Sequence, residues 1–379
     1  MTSPAQTSVE ARGRIGAPVL RETRFGDYTS IAALHARNGL PIRSNEDWRM
    51  LWESNPAFQN NPGSIGWVLE NSRGEIVGSL GNVPALYELN GRRVPVAMCS
   101  GWVVDPVYRR HSAKLMIQAQ VQRNADLLIS TTVSSAAEPH KRYLGWTRVP
   151  IGAWDESEFW VADYVGFSKW ALAGQSIPLA HLITYPAAAA LYCRDALAEI
   201  GKVRNRRPLH IEFCPEFDGR FDTFWEVLRN QNRARLIPVR TRATMGSHFR
   251  CSANRGGLWI LTACDGPRLV ASAIFDRYDN ASTSLKRVRL VDFQMLPGYE
   301  FALAPLLERM IEQCRKQGVY LLESIGAPLS YTSSIVPPRH RRKLQSWTYY
   351  YKPLKEDLGK ILANPAVWAP TLFDGDASL

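Results

Sequence analysis

Six consecutive residues, Arg109-Arg110-His111-Ser112-Ala113-Lys114, set three fixed cations beside two small side chains just ahead of a helix-forming run. Unpaired N–H groups and the helix dipole at such a start favour an anion, and small residues let the backbone approach it. Arg109, Arg110 and Lys114 add charge there, and Ser112 can cap the helix. The chemistry assembled is recognition of a phosphate-type anion. Further along, His140 and Tyr143 are side chains fit for proton transfer, with Glu138 and Asp105 as nearby carboxylates. Their bland alternatives are a surface imidazole and a packed aromatic with a wet hydroxyl.

The elements that must position these groups follow from pattern. A short strand is expected over 19–22 and a hairpin over 65–70 and 75–80, with Gly74 where the turn needs positive φ. The second arm continues over 83–89, and Asn90-Gly91 turns it into an apolar strand over 94–104 that stops at Asp105-Pro106. A helix over 112–123 then carries Leu115, Met116 and Val121 as apolar positions, followed by a buried strand over 127–133. Tyr143-Leu144-Gly145-Trp146 closes the unit.

The second half repeats this plan. Trp67 precedes Gly74 by the same interval as Trp259 precedes Gly266, within WVLENSRGEIVGS and WILTACDGPRLVAS. Pro106-Val107-Tyr108 is matched by Pro297-Gly298-Tyr299, each after an apolar strand and before a helix. The later helix carries Leu303, Leu306, Leu307, Met310 and Ile311 at helical spacing, and a strand follows over 319–324. Matched landmarks in the same order point to an internal duplication.

Composition agrees. A chain of 379 residues implies two domains, and 45% hydrophobic with 21% charged residues is a globular mixture. Residues 1–18 read as a flexible lead-in without the apolar core of a secretory signal. The stretch 177–193 is broken by Pro178, His181 and Pro186 and reads as a buried or half-buried helical linker rather than a membrane span. The six cysteines form no CxxC pair and have no histidine at zinc-ligand spacing, so no metal is expected and a reducing cytoplasm fits. Net charge is +11, with basic clusters over 202–207 and 339–343 that are most simply solvated faces. These clusters lack interleaved aromatics and no recognition motif appears, so nucleic acid is not an expected partner.

The element order β–α–β–β–β–α–β, with Gly74-Glu75-Ile76-Val77-Gly78 and Val103-Val104-Asp105-Pro106-Val107-Tyr108-Arg109-Arg110, resembles the GNAT superfamily of acyl-CoA N-acyltransferases. The resemblance implies an α/β chain of two tandem units, each a twisted mixed sheet flanked by helices. The expected organisation is an N-terminal unit over 19–165, a helical linker over 166–209, a second unit over 210–352 and a tail over 353–379. It further implies acetyl-CoA or another acyl-CoA as co-substrate, an amine-bearing acceptor, and a monomer or homodimer. Backbone donors of Trp102, Val103 and Val104 would face the thioester and pantetheine, and Arg109 to Lys114 would take the pyrophosphate. Arg109 matches the family's basic position, whereas Ser112 and Lys114 stand where its two glycines would be. In the second unit Glu300 and Phe301 replace Arg109 and Arg110, so a single cofactor site is expected, in the first unit. The family's usual proton-donating Tyr falls at Lys141, four residues before the Gly145-Trp146 pair, which leaves Tyr143 and His140 as candidate acid and base. Two alternatives remain: an aminoacyl-tRNA-dependent transferase of the same fold, and an inactive CoA-binding partner protein.

Overall fold

The computed structural model describes residues 16–152, 154–174, 180–199, 208–326, 340–344 and 347–379. The basic cluster 202–207 and most of the N-terminal lead-in lie outside them.

The first unit begins with β1 (Val19–Glu22), β2 (Gly66–Glu70), β3 (Ile76–Leu89), β4 (Arg92–Val104) and β5 (Leu127–Val133). Its turns are those the sequence implies. The Gly74 amide closes on the Asn71 carbonyl at 3.0 Å. Asn90 and Gly91 both take positive φ, 53° and 73°, which matches the right-handed twist of the long β3–β4 hairpin. The helix Ser112–Gln120 packs Leu115, Met116 and Ala119 against the sheet.

Between β4 and β5 the parallel pairing runs only through Val96–Leu127, Ala97–Leu128 and Met98–Ile129. Its cause is local. The β3–β4 register shifts between Ser79 and Gly81, and Gly101 lies at φ 62°. A bulge beside a left-handed residue bends the strand, so β4 swings away from β5 after Met98.

The second unit repeats the arrangement with β8 (His210–Cys214), β10 (Leu258–Asp265), β11 (Arg268–Arg277), β12 (Arg287–Met295) and β13 (Leu321–Ile325). Its helix Leu303–Lys316 buries Leu303, Leu306, Leu307, Met310 and Ile311, as the spacing implies.

The two units exchange their last strands. The sheet order is β1-β2-β3-β4-β5-β15-β6 in one unit and β14-β7-β13-β12-β11-β10-β8 in the other. Here β6 is Thr147–Arg148, β7 Glu156–Val161, β14 His340–Lys343 and β15 Thr348–Pro353, while β9 (Ile237–Pro238) adds to β3. The chain crosses after β6, so β7 pairs with β13, and it returns so that β15 pairs with β5. The sheets therefore do not follow boundaries at 165 and 352: each is completed by a strand from the other half of the chain.

Two sequence expectations change here. The linker forms the helices Tyr164–Gly174 and Ala180–Glu199, and the second turns Leu182, Tyr185 and Leu197 to solvent rather than burying them. Within the cluster over 339–343, Arg341 bonds Glu158 at 2.7 Å and Arg342 pairs with Glu323, so these charges neutralise buried carboxylates instead of forming a free basic face.

The tail over 353–379 ends in a packed segment that carries Asp374 and Asp376. Phe373 and Asp374 are buried, and the segment Gly375–Ser378 lies against β5 and β4. Asp376 accepts from the Thr131 hydroxyl at 2.6 Å and from the Thr132 hydroxyl at 3.3 Å. Gly375 sits at φ 84°, and a Cβ there would stand 2.4 Å from Thr131 Cγ2. Gly375→Ala is therefore expected to destabilise the protein by about 2–4 kcal/mol, combining a left-handed backbone with overpacking. A urea melt that leaves the midpoint unchanged would show that the tail does not seat on Thr131.

Candidate functional site

The stretch Cys99–Val104, beyond the last β4–β5 pair, forms one side of an opening in the sheet. The Asp105 amide bonds back to Val77 at 2.9 Å, so strand alternation turns the amides of Trp102 and Val104 toward the opening and that of Val103 toward β3. A cavity of about 480 Å³ adjoins it, reached by Ser100, Gly101 and Thr132 from the first unit and by Tyr278, Arg287 and Arg289 from the second.

At the far end of β4 the chain makes a 3₁₀ turn, Pro106–His111, that runs straight into the helix Ser112–Gln120. Ser112 is thus the first helical residue and does not cap; the cap position is His111, which makes no side-chain cap bond. Arg109, Arg110 and Lys114 are exposed around this start, with Ser112 and Ala113 half-buried among them. Arg110 Nε donates to His111 at 3.1 Å.

In the second unit the equivalent places are occupied by the chain itself. Glu300 accepts the Gly298 amide at 3.0 Å, and Ala302, Leu303 and Ala304 are buried at the helix start. Where β12 runs past its last pair with β13, the Phe373 amide bonds the Val291 carbonyl at 3.1 Å.

The candidate acid–base residues separate sharply. Tyr143 is 89% exposed and His140 is exposed with its ring edge-on to Trp102 at 6.2 Å; neither reaches the cavity. Both lie on the outer side of the short helix Glu138–Tyr143, which turns Lys141 inward instead. Lys141 is 2% exposed, with its ammonium 3.5 Å from the Trp146 ring centre, 5.8 Å from that of Trp102 and 4.0 Å from Met116 Sδ. Among the described residues no carboxylate pairs with it. Burial pulls its pKa down to about 8, against a partial upward push from Cys99 and Asp376. Asp105 is held by Arg37 at 2.7 Å and Asn38 at 2.9 Å, and Glu138 accepts from Thr348 and Tyr350, so both carboxylates are committed to structure.

One cavity residue was not singled out for this chemistry by its sequence pattern. His35 comes from the helix Tyr28–Arg37, with Nε2 3.3 Å from Ser79 Oγ and beside Gly101. Burial lowers its pKa below the ordinary imidazole value, the Arg43 charge adds to this, and a bond to Pro41 opposes it. Asp376 reaches the cavity because the tail crosses β5. No local signal marks His35, since one imidazole on an amphipathic helix looks like any other. Among the described residues no cluster of three or more His, Cys, Asp or Glu is placed to hold a metal, and no described helix is long and apolar enough to cross a membrane.

No known family profile and no curated protein matches the sequence. Solved structures do match. A GCN5-related N-acetyltransferase from Anabaena variabilis superposes with TM-score 0.53 at 12% identity, over 89% of this chain and 73% of the other. A protein from Enterococcus faecalis described as a probable N-acyltransferase gives 0.54 at 11% identity, over 90% and 73%. Saccharomyces cerevisiae N-myristoyltransferase with bound myristoyl-CoA gives 0.52 at 10% identity, over 93% and 83%. With the duplicated mixed sheets and the parting of β4 from β5, these likenesses identify the chain's architecture as the GNAT fold of the N-acyltransferases.

Proposed function

We propose that this protein is an acyl-CoA-dependent N-acyltransferase that uses acetyl-CoA or another acyl-CoA and acts on a primary amine. The observation carrying this reading is the opening beyond Met98, which leaves strand amides free beside a cavity large enough for a small acceptor. In this reading the thioester arm lies along Trp102, Val103 and Val104. The pyrophosphate rests on the helix start at Ser112 and Ala113, with Arg109, Arg110, His111 and Lys114 around it. The second unit is scaffold and cavity wall, because Glu300 and Phe373 occupy its corresponding places.

The reaction needs a neutral amine, a polarised carbonyl and a proton for the departing thiolate. Asp376 draws the acceptor's ammonium into the cavity. His35, kept neutral at pH 7 by burial, takes its proton. Nitrogen attacks the thioester carbon, the strand amides stabilise the developing oxyanion, the C–S bond breaks, and the nitrogen releases its second proton to solvent. The thiolate, lying along Trp102, then takes a proton from the Lys141 ammonium, which sits 5.8 Å from the Trp102 ring centre and, like Tyr143 and His140, does not line the cavity itself; this is the role first sought in Tyr143. A cytoplasmic location belongs to this reading, since all six cysteines are free and five are buried.

Calorimetric titration with acetyl-CoA tests the assignment. Wild type should bind, and Arg109→Glu should bind about tenfold more weakly, since it sets a carboxylate beside the pyrophosphate. Absence of binding in wild type would remove the transferase reading.

A further inference from the structure

We propose that the acceptor is an amino acid with a large apolar side chain, its carboxylate read by Arg289. This rests on the reading of the cavity as the acceptor site.

Arg289 projects from β12 into the cavity wall and is 3% exposed. Its guanidinium stacks 3.7 Å over the Tyr278 ring, yet among the described residues Nε has no hydrogen-bond partner and no carboxylate lies within ion-pair distance. Neighbouring Arg287 shows what a satisfied arginine looks like here, bonding Glu323 at 2.9 Å and the Tyr278 carbonyl at 2.9 Å. Asp276, opposite Arg289 in the β11–β12 register, attracts it through space but makes no ion-pair contact with it among the described residues and does not line the cavity. A second buried donor without a partner among the described residues, Trp347 Nε1, belongs to the same wall. A buried guanidinium and a buried indole N–H can only donate, so what satisfies them is a group of acceptor oxygens, and the cation asks that it be anionic.

The cavity also holds the opposite charge. Asp376 lines it beside Thr132, adjacent to the β4–β5 opening. A ligand with an ammonium for Asp376 and an anionic oxo group for Arg289 is zwitterionic, and a volume of about 480 Å³ suits a single amino acid together with the acyl end of the donor. Tyr28, Trp48 and Trp52 supply aromatic walls for an apolar side chain. Carboxylate and phosphate-type groups share the chemistry Arg289 recognises. The carboxylate is preferred because one guanidinium and one indole N–H match two oxygens, whereas a doubly charged group would call for a second free cation, and the other arginines of the wall are engaged, Arg287 by Glu323 and Arg43 by the Leu379 carbonyl.

The test is calorimetric titration of the full chain with three probes: N-acetyl-L-phenylalanine, its neutral carboxamide, and the matching 1-acetamido-2-phenylethylphosphonate. The carboxylate should bind at least about tenfold more tightly than the carboxamide, and this ratio should fall to about one in Arg289→Gln. Arg289→Lys, which keeps the charge, should retain part of the preference, and thermal melts confirm that both variants are folded. Equal binding of carboxylate and carboxamide, or binding of neither, overturns the proposal. Phosphonate binding tighter than carboxylate overturns the amino-acid assignment in favour of a phosphate-bearing amine. Acetyl-CoA titrated in parallel separates the two readings. Normal acetyl-CoA binding without a carboxylate preference removes only this inference. An Arg289-dependent carboxylate preference without acetyl-CoA binding removes the transferase reading and leaves the carboxylate site standing.

Discussion

Arg240→Met is expected to lower stability by about 3–5 kcal/mol, because it leaves Asp292 charged and buried without its partner. The pair is almost wholly enclosed, at 4% and 1% exposure. Arg240 donates to Asp292 through Nε at 2.8 Å and Nη2 at 3.0 Å, and to the Pro238 carbonyl at 3.0 Å. Thr371 and Gln294 complete the carboxylate at 2.8 and 3.1 Å. Burial alone would raise the Asp292 pKa, but the Arg240 charge and these hydrogen bonds outweigh it and hold the group below the usual carboxylate range. The pair ties the segment after β9, which pairs with the first sheet, to β12 in the second sheet and, through Thr371, to the tail. Arg240→Met/Asp292→Leu should recover most of the loss, since a buried ion pair contributes little beyond an apolar replacement of similar volume. Chemical denaturation of both variants checks this. A single variant within about 1 kcal/mol of wild type would mean that water reaches Asp292.

Lys141→Met should move stability and activity in opposite directions. The ammonium's pKa falls from 10.5 to about 8, mainly through burial, so at pH 7 holding it charged costs about 3 kcal/mol. Its place 3.5 Å over the Trp146 ring returns about 1–2 kcal/mol of that. Desolvation wins, and the variant should gain about 1–2 kcal/mol at pH 7. The sign with pH follows from proton counting. Between about pH 8 and 10.5 the unfolded chain holds a proton that the folded chain lacks, so wild-type stability from this group rises with pH and the variant's advantage shrinks to nothing. Turnover should fall by about 10²–10⁴-fold, because an acid near pH 8 is matched to a thiolate whose ordinary pKa is about 8.5. Wild-type turnover should decline above about pH 8 as the acid is lost, and the variant should lack that limb. An unchanged turnover in the variant would make Lys141 a structural oddity and return the proton to solvent.

Local chemistry made much of this protein legible. Asn90-Gly91 and Gly74 demanded positive φ and so announced the hairpins, and runs of apolar residues between these turns marked β2 to β5. The repeated Trp–Gly and Pro-x-Tyr landmarks exposed the duplication, and its helices bury the residues their spacing selects except Val121, which falls just past the end of Ser112–Gln120 and is exposed. The small residues and cations after β4 marked the candidate anion site without reference to any distant residue. These features depend on a few bonds between near neighbours, which side-chain type alone controls.

Tertiary structure decided the rest. Strand exchange cannot be read from β7 or β15, because either could pair with the sheet of its own unit and only the path of the chain between units selects the other. The burial of Lys141 in preference to Tyr143 follows from how one short helix turns against Trp102 and Trp146, where two aromatic faces make a buried cation tolerable. Arg289 is a strand arginine like Arg287 until the fold pairs one with Glu323 and leaves the other facing a cavity. From sequence Asp376 can be a solvated tail residue or line an amine-binding cleft, and the fold decides: the tail threads past β12 and β5 and delivers its carboxylate to the opening. Each outcome joins residues far apart in sequence, and the free energy deciding it comes from desolvation and packing that exist only after both units have closed.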